Sequence, residues 1–230
     1  MDRKKFLVIP AGGSGVRMGA DVPKQFLMLG GKPILRLTME RFLEAVPDIR
    51  VVTVLPEAHM EWWRQYCVKA SFTCPQKMVQ GGFTRFHSVK NALAQIPDGA
   101  LVAVHDAVRP LVSASKIREL FAAAENAPAV IPATPSTDTL KTVSKNEDGV
   151  PVVAGTIDRS AVWGVQTPQI FHSEVLKKAY ERGYDTLFTD DASVVSAAGV
   201  TVVCIEGERT NIKITTPEDL LLAQAILSVK

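Results

Sequence analysis

The alternation of short apolar runs with helix-length amphipathic segments is the feature that most constrains the fold. The apolar runs are rich in Val, Ile and Leu with little polar alternation, which is typical of strands covered on both faces. Alternating strands and helices predict a doubly wound α/β fold with a mostly parallel sheet. The predicted strands are Phe6–Pro10, Arg50–Leu55, Leu101–His105, Ala129–Ala133 and Val200–Ile205. The predicted helices are Ile34–Ala45, Glu57–Ala70, Arg85–Ile96, Ser113–Asn126, Glu174–Arg182 and one beginning at Thr216-Pro217.

Residues 137–157 break this alternation. Two β-leaning runs flank a polar turn that contains Asp148-Gly149, which predicts a β-hairpin. The hairpin is either folded back on the edge of its own sheet or is an arm that reaches a second subunit, and both interpretations stay open here. We expect residues 1–230 to form a single domain, with residues 137–157 projecting from it as a β-arm.

Composition and charge restrict the partners. The net charge of +2 over 230 residues is too small to indicate nucleic acid or a membrane surface. No apolar stretch approaches the length of a membrane span, and the run Phe6–Pro10 is too short for a signal peptide. Three cysteines without paired spacing fit a reducing compartment. We therefore expect a soluble, cytoplasmic protein that binds neither nucleic acid nor membranes.

A glycine-rich segment, PAGGSGVRMG, directly follows the first predicted strand. Glycines let backbone N–H groups approach an anion closely, and the carboxyl end of a strand is where doubly wound sheets bind ligands. The spacing fits neither a P-loop nor a dinucleotide fingerprint, which argues against a dehydrogenase. Arg17 and Lys24 add two cations close to the loop. Loop and cations together indicate a polyphosphate ligand.

These residues resemble the nucleotide signature of the sugar-phosphate nucleotidyltransferases. The resemblance is greatest to the cytidylyltransferases that act on methylerythritol phosphate in the non-mevalonate isoprenoid pathway. It implies a Rossmann-like sheet with a protruding arm through which two chains form a homodimer. The segments that carry it, in the family's order, are Pro10–Gly19 with Pro23–Phe26, Gly81-Gly82 with Arg85 and Ser88, His105–Pro110, Asp158-Arg159 with Trp163, Gln166–Gln169, Thr189–Ser193, Asn211–Lys213 and Thr216–Leu220.

The acceptor is less firmly indicated than the reaction class. Val108 stands where the family often has alanine, and valine there also occurs in the related pentitol-phosphate cytidylyltransferases. The segment Arg85–Ser88, Trp163 and the segment Thr189–Ser193 look more like the methylerythritol enzymes. A ribitol or ribulose 5-phosphate cytidylyltransferase is therefore the alternative. A non-catalytic nucleotide sensor on the same fold is a more remote one.

The implied reaction is in-line attack of the acceptor's phosphate on the α-phosphorus of CTP, with loss of pyrophosphate. A phosphate monoester has its second pKa at about 6, so it is mostly dianionic at neutral pH and needs no general base. The sequence also offers no evident Ser/His/Asp or Cys/His set. We therefore expect catalysis by positioning and by electrostatic stabilisation of the crowded phosphates.

The resemblance assigns the catalytic roles to four cations. Arg17 and Lys24 stabilise the transition state and the leaving pyrophosphate, whereas Lys213 and Arg159 position the acceptor phosphate. Because Arg159 directly follows the predicted arm, we expect it to enter the partner's active site, with Thr167 beside it. The dimer would then be part of the active site.

The same resemblance implies the remaining binding residues. The nucleotide-binding set is Pro10, Ala11, Gly12, Gly13, Ser14, Gly15, Gly81, Gly82, Ser88, Asp106 and Ala107. The acceptor-binding set is Asp106, Arg109, Arg159, Thr167, Thr189 and Lys213. Mg²⁺ is expected as cofactor, held mainly by the triphosphate, and Asp106 is the candidate protein ligand. Asp106 could also form an ion pair with Arg109 that shapes the loop, and the two roles can coexist.

Overall fold

The computed structural model describes residues 3–13 and 22–229. Its strands are β1 (Lys5–Pro10), β2 (Met28–Leu29), β3 (Lys32–Pro33), β4 (Arg50–Leu55), β5 (Gln76–Gln80), β6 (Leu101–Val104), β7 (Ala129–Pro135), β8 (Lys141–Lys145), β9 (Pro151–Thr156), β10 (Trp163–Val165), β11 (Gln169–His172) and β12 (Val203–Glu206). Its α-helices are α1 (Ile34–Ala45), α2 (Glu57–Lys69), α3 (Arg85–Leu93), α4 (Ala114–Ala124), α5 (Ser173–Ala179), α6 (Asp191–Ala197) and α7 (Pro217–Val229). Two 3₁₀ helices cover Lys24–Phe26 and Arg159–Ala161.

Eight of these strands form the central sheet. Its order is β10-β7-β11-β6-β1-β4-β5, and β12 also pairs with β7. The pairs β1–β4, β1–β6, β4–β5 and β7–β12 are parallel, whereas β10 and β11 run antiparallel to their neighbours. The doubly wound, mostly parallel sheet predicted from the sequence is confirmed.

The two faces of the sheet are buried in separate clusters. On β1, Leu7 and Ile9 pack with α1, α2 and α4, while Phe6 and Val8 pack with α3, α5 and α6. Successive side chains of a strand point to opposite faces, so burial on both faces requires an uninterrupted apolar run. This is why β1 and β4 could be recognised from their composition. A smaller cluster packs Ala223 of α7 against Leu29 and Ile34.

The sequence analysis did not predict β5 and β10 at the rim of the sheet, nor the four-residue strand β11 between β7 and β6. The edge strand β5 has intermediate and exposed residues along its whole length, and all three residues of β10 are exposed. Such strands lack the apolar run that marks a buried one. The edge strand β5 is nevertheless firmly anchored, because Gln76 Oε1 accepts hydrogen bonds from Trp63 Nε1 and Thr53 Oγ1, each at 2.9 Å. Helix α6 was missed as well.

The hairpin predicted at residues 137–157 is present as β8 and β9. Its turn is closed by Asn146 Oδ1, which accepts from the backbone N–H groups of Asp148 (3.1 Å) and Val150 (2.8 Å). Gly149 has a φ of 76°, in the left-handed region that favours glycine. Within the described residues the hairpin forms a two-stranded sheet of its own and does not extend the central one. All of β8 and most of β9 are exposed.

No helix in residues 3–13 and 22–229 is both long enough and apolar enough to cross a bilayer.

Candidate active site

A cavity of about 400 Å³ opens at the carboxyl edge of the central sheet. The segments that follow β1, β4, β5 and β6 all contribute to its wall, because parallel strands end at the same edge. Its lining residues are Pro10, Ala11, Gly12, Gly13, Lys24, Gln25, Pro56, Glu57, Gln80, Gly81, Gly82, Phe83, Thr84, Arg85, Ser88, Asp106, Ala107, Val108 and Lys213.

Most of the candidate residues from the sequence meet in this cavity. Those that line it are Pro10, Ala11, Gly12, Gly13, Lys24, Gly81, Gly82, Ser88, Asp106, Ala107 and Lys213. Ser14, Gly15 and Arg17 lie outside the described residues. Arg109, Thr167, Thr189 and Arg159 are not among the lining residues.

The first wall is the glycine loop after β1. The backbone N–H of Ala11 donates to Val54 O at 2.8 Å, which continues the β1–β4 ladder into the loop. The buried Gln25 side chain donates from Nε2 to Ala11 O at 2.7 Å and so joins the loop to the 3₁₀ helix Lys24–Phe26. A Cβ on Gly13 would lie 3.5 Å from Lys24 Cε, so the stem of Lys24 passes close over the loop. The lysine and the loop therefore face the same cavity.

The second wall is the turn between β5 and α3. Gly81 N–H donates to Leu55 O at 2.9 Å, and Gly82 N–H donates to Ser88 Oγ at 3.1 Å. A Cβ at Gly82 would lie 2.4 Å from His87 Cβ and 3.1 Å from the His87 carbonyl carbon. Glycine is therefore required here by close packing against the first turn of α3. Ser88 holds the turn in place as well as lining the cavity.

The third wall carries the charge. Asp106 follows β6, and its Oδ2 forms an ion pair with Lys213 Nζ at 3.1 Å and accepts a hydrogen bond from Arg109 Nε at 3.2 Å. Burial raises the pKa of Asp106, but the positive charges of Lys213, Arg85 and Arg109 outweigh it and bring the pKa well below its ordinary value. Asp106 is therefore ionised at neutral pH. The ion pair with Arg109 that was one interpretation of the sequence is present.

Neighbouring groups fix this charged wall. Thr167 Oγ1 accepts from the backbone N–H of Asp106 at 3.1 Å, and Arg109 Nη1 donates to Asn211 O at 2.7 Å. Asn211 Nδ2 in turn donates to Thr167 O at 2.9 Å. Thr167 thus contacts Asp106 of its own chain without lining the cavity, and its expected place beside an Arg159 from a second subunit stays a prediction. The segment that carries Lys213 is held against the carboxyl end of β6 by these bonds.

His105 is a buried support of the same loop. Its Nε2 donates to Arg109 O at 3.0 Å. Its ring packs edge-on against the ring of Phe42, with 4.9 Å between the ring centroids. Burial lowers the pKa of His105 to about 4, so the imidazole is neutral at physiological pH. It therefore adds no charge to the site.

Two candidates lie apart from the main cavity. Thr189 lines a separate cavity of about 70 Å³, whose wall also includes Arg85. Arg159 begins the 3₁₀ helix next to the hairpin, where it is exposed and donates from Nη1 to Thr137 O at 3.1 Å. Arg159 does not line the cavity of its own chain.

Several cavity residues received no role from the sequence. Gln25, Glu57, Gln80, Phe83, Thr84 and Arg85 all line the wall. Phe83 is fully exposed at 101% and follows the two glycines directly, and that adjacency was the available signal. Arg85 carried part of the resemblance, but its contact partner is 106 residues away in sequence and could not be inferred.

The donor set around the cavity fits a metal that arrives with the nucleotide. In the described part of the chain, no group of three or more His, Cys, Asp or Glu residues could hold a metal ion. The cavity wall itself contains the carboxylates Asp106 and Glu57. Mg²⁺ usually takes few protein carboxylates when phosphates supply the other oxygens.

Fold and site together define a nucleotidyltransferase. The family model of 2-C-methyl-D-erythritol 4-phosphate cytidylyltransferase matches residues 6–229, and the chain belongs to that family. The 2-C-methyl-D-erythritol 4-phosphate cytidylyltransferase of Porphyromonas gingivalis strain W83 is 47% identical over 229 residues, covering 99% of this chain and 100% of the relative. That of Bacteroides thetaiotaomicron is 45% identical over 224 residues, covering 97% and 100%.

Solved structures agree with this assignment. The 2-C-methyl-D-erythritol 4-phosphate cytidylyltransferase of Thermus thermophilus matches with a TM-score of 0.77 at 32% identity, covering 98% of this chain and 99% of that one. The 4-diphosphocytidyl-2C-methyl-D-erythritol synthase of Anaerococcus prevotii matches with a TM-score of 0.80 at 28% identity, with the same coverage.

The close approach at Gly82 gives a testable expectation. We expect Gly82→Ala to lower the free energy of unfolding by about 1–3 kcal/mol, because the added Cβ displaces the turn from the backbone of His87. Urea denaturation measures this change. Gly183→Ala is the matched control, since a Cβ there meets nothing within 4 Å. Equal stability of the two variants would contradict the packing described for the turn.

Proposed function

We propose that this chain transfers the cytidylyl group of CTP to 2-C-methyl-D-erythritol 4-phosphate, with Lys24 and Lys213 as cations of one active cavity. The products are 4-diphosphocytidyl-2-C-methyl-D-erythritol and pyrophosphate, in the non-mevalonate route to isoprenoid precursors. The observation that carries the residue roles is the convergence of two glycine turns and both lysines on one cavity. Relatives at 42–47% identity bear the methylerythritol name, so neither the pentitol-phosphate alternative nor the sensor is favoured.

The reaction is a single displacement at the α-phosphorus. An oxygen of the acceptor phosphate forms the new P–O bond as the bond to the β-phosphate oxygen breaks, and pyrophosphate leaves with that electron pair. The dianionic acceptor is already nucleophilic at neutral pH. The task of the protein is therefore to bring two anions together and to stabilise the charge that develops.

Lys24 is proposed to act on the triphosphate. Its stem passes close to the glycine loop at Gly13, and Lys24 lines the same cavity as Gly12 and Gly13. An ammonium is a compact charge suited to the leaving pyrophosphate. Arg17 is proposed to share this role.

Asp106 is proposed to organise the acceptor side. Its ionised carboxylate holds the ammonium of Lys213 at 3.1 Å, in reach of the cavity, where it can receive the acceptor phosphate. Arg109 contacts the same oxygen of Asp106 as Lys213 does, and Thr189 lines the small cavity. We propose both as acceptor-binding residues.

The remaining wall is proposed to bind the nucleotide. Ala11, Gly12, Gly81, Gly82, Ser88 and Ala107 line the same cavity. We propose that they form a slot that suits a small pyrimidine. Pro10, Gly13, Ser14 and Gly15 complete the proposed set. Mg²⁺ is the proposed cofactor, with Asp106 as its protein ligand. Bound there, the metal would supply positive charge that neutralises part of the charge on the phosphates.

The hairpin is proposed to be a dimerisation arm of this single-domain protein. Val143, Val152 and Val153 are exposed at 60%, 39% and 66%, and an isolated two-stranded hairpin is at best marginally stable in water. A second copy of the chain would cover these side chains. Arg159, exposed at the base of the arm and absent from its own cavity, is proposed to position the acceptor in the partner's site.

Pyrophosphate release tests the proposed reaction. With Mg²⁺ and CTP we expect rapid release on 2-C-methyl-D-erythritol 4-phosphate and little on ribitol 5-phosphate, because the acceptor side must match the bound polyol. ATP in place of CTP is the control and should give little release. Preference for ribitol 5-phosphate would overturn the acceptor, and no release with either acceptor would overturn the reaction.

Complementation between inactive variants tests the shared site. We expect Lys213→Gln and Arg159→Gln each to lower turnover about 100- to 1,000-fold, by analogy with loss of one transition-state contact. If Arg159 acts in the partner's site, each mixed dimer has one intact site, and an equimolar mixture should recover about a quarter of normal activity.

Lys69→Gln, an exposed lysine remote from the cavity wall, is the control and should leave turnover unchanged. A mixture no more active than its components would show that Arg159 acts within its own chain.

A further inference from the structure

Arg85 occupies a position where the local sequence disfavours a cation. It is the first residue of α3, and the first turn of that helix contains no acidic residue. The partial positive charge at a helix N-terminus makes a cation unfavourable there. A compensating interaction must come from elsewhere in the fold.

That interaction is a buried carboxylate. Arg85 Nη2 donates to Asp191 Oδ2 at 2.5 Å, and the Asp191 side chain is completely buried. Tyr180 Oη donates to the other oxygen, Oδ1, at 2.6 Å. Tyr180 is 2% exposed, and its ring stacks on the ring of Phe86 with 4.5 Å between the ring centroids. Asp191 is thus held at both oxygens, and it fixes the guanidinium of Arg85 in turn.

The guanidinium is nevertheless open on one side. One third of the Arg85 side chain is exposed, and Arg85 lines both the main cavity and the small one that contains Thr189. It shares the main wall with Asp106 and Lys213. A guanidinium carries several N–H groups in a fixed plane, so the bond to Asp191 leaves donors for a second anion.

We propose that Arg85 is a further acceptor-binding residue, held by Asp191 and Tyr180 so that its guanidinium receives the acceptor phosphate beside Lys213. The proposal rests on the proposed function and adds a residue to its acceptor side. Asp191 and Tyr180 are positioning residues in this arrangement, because they reach the acceptor through Arg85. The three residues also join α3, which follows the nucleotide turn, to α6, which follows Thr189.

A pair that only joined α3 to α6 would have no need of an arginine open to the cavity. Arginine differs from lysine in offering a planar fork that can bond a carboxylate and a phosphate oxygen at once. The consequence is specific to one substrate. Loss of the guanidinium should weaken binding of the acceptor and leave binding of CTP unchanged. A purely structural role would instead affect both substrates or only the stability.

The test is a comparison of the two KM values in the pyrophosphate-release assay. The double variant Arg85→Gln with Asp191→Asn removes both charges together, so that no buried carboxylate is left unpaired. We expect its KM for the acceptor to rise about 10- to 100-fold, the loss of one charge-assisted contact, while the KM for CTP changes by less than about threefold. Arg182→Gln, an exposed arginine outside both cavities, is the matched control and should change neither value.

Equal changes in both KM values, or a lower melting temperature with both KM values unchanged, would overturn the role of Arg85. Should the double variant fail to fold, the same two KM values are measured for Tyr180→Phe. This variant removes one hydrogen bond and leaves both charges in place. A selective rise in the acceptor KM of Tyr180→Phe supports the proposal, and no change overturns it. Wild-type turnover is measured in the same series and tests the proposed reaction separately.

Discussion

The carboxylate of Asp106 is the interaction on which the arrangement of the site depends. It emerges at the end of a buried strand and is kept ionised by cations that come from three separate parts of the chain. Lys213 and Arg109 contact the same oxygen, Oδ2. A lone carboxylate at this depth would be costly, and equally, Lys213 would have no fixed position without it. The charged wall of the cavity is thus organised around one negative charge.

The doubly wound sheet makes this arrangement possible. The carboxyl ends of its parallel strands β1, β4, β5 and β6 lie at a single edge. Helices on both faces exclude water from the strands beneath. The backbone groups that the strands no longer use at that edge become available to ligands. Short hydrogen bonds then tie the loops to one another, as between Gln25 and Ala11 or between Asn211 and Thr167. The result is a cavity in which a reaction that needs no proton transfer can be accelerated by placement and charge.

Much of this could be predicted from the sequence where burial and turns leave a clear pattern. Strand β4 and helix α1 were predicted to the residue because both faces of the first and one face of the second are apolar. The hairpin was found through its Asp148-Gly149 turn. Edge strands such as β10 were missed because exposed residues carry no such pattern. The ion pair between Arg85 and Asp191 could not be predicted, because the sequence around each residue does not indicate a partner 106 positions away.

On this account, positioned cations promote a single in-line displacement without a protein nucleophile. The most direct measurement is the stereochemical course at the α-phosphorus, with CTP that carries one sulfur in a chiral α-thiophosphate as substrate. A single displacement predicts inversion of configuration in the cytidylyl product. Retention would reveal two successive displacements through a covalent cytidylyl-enzyme, and would contradict the claim that the site acts without a protein nucleophile.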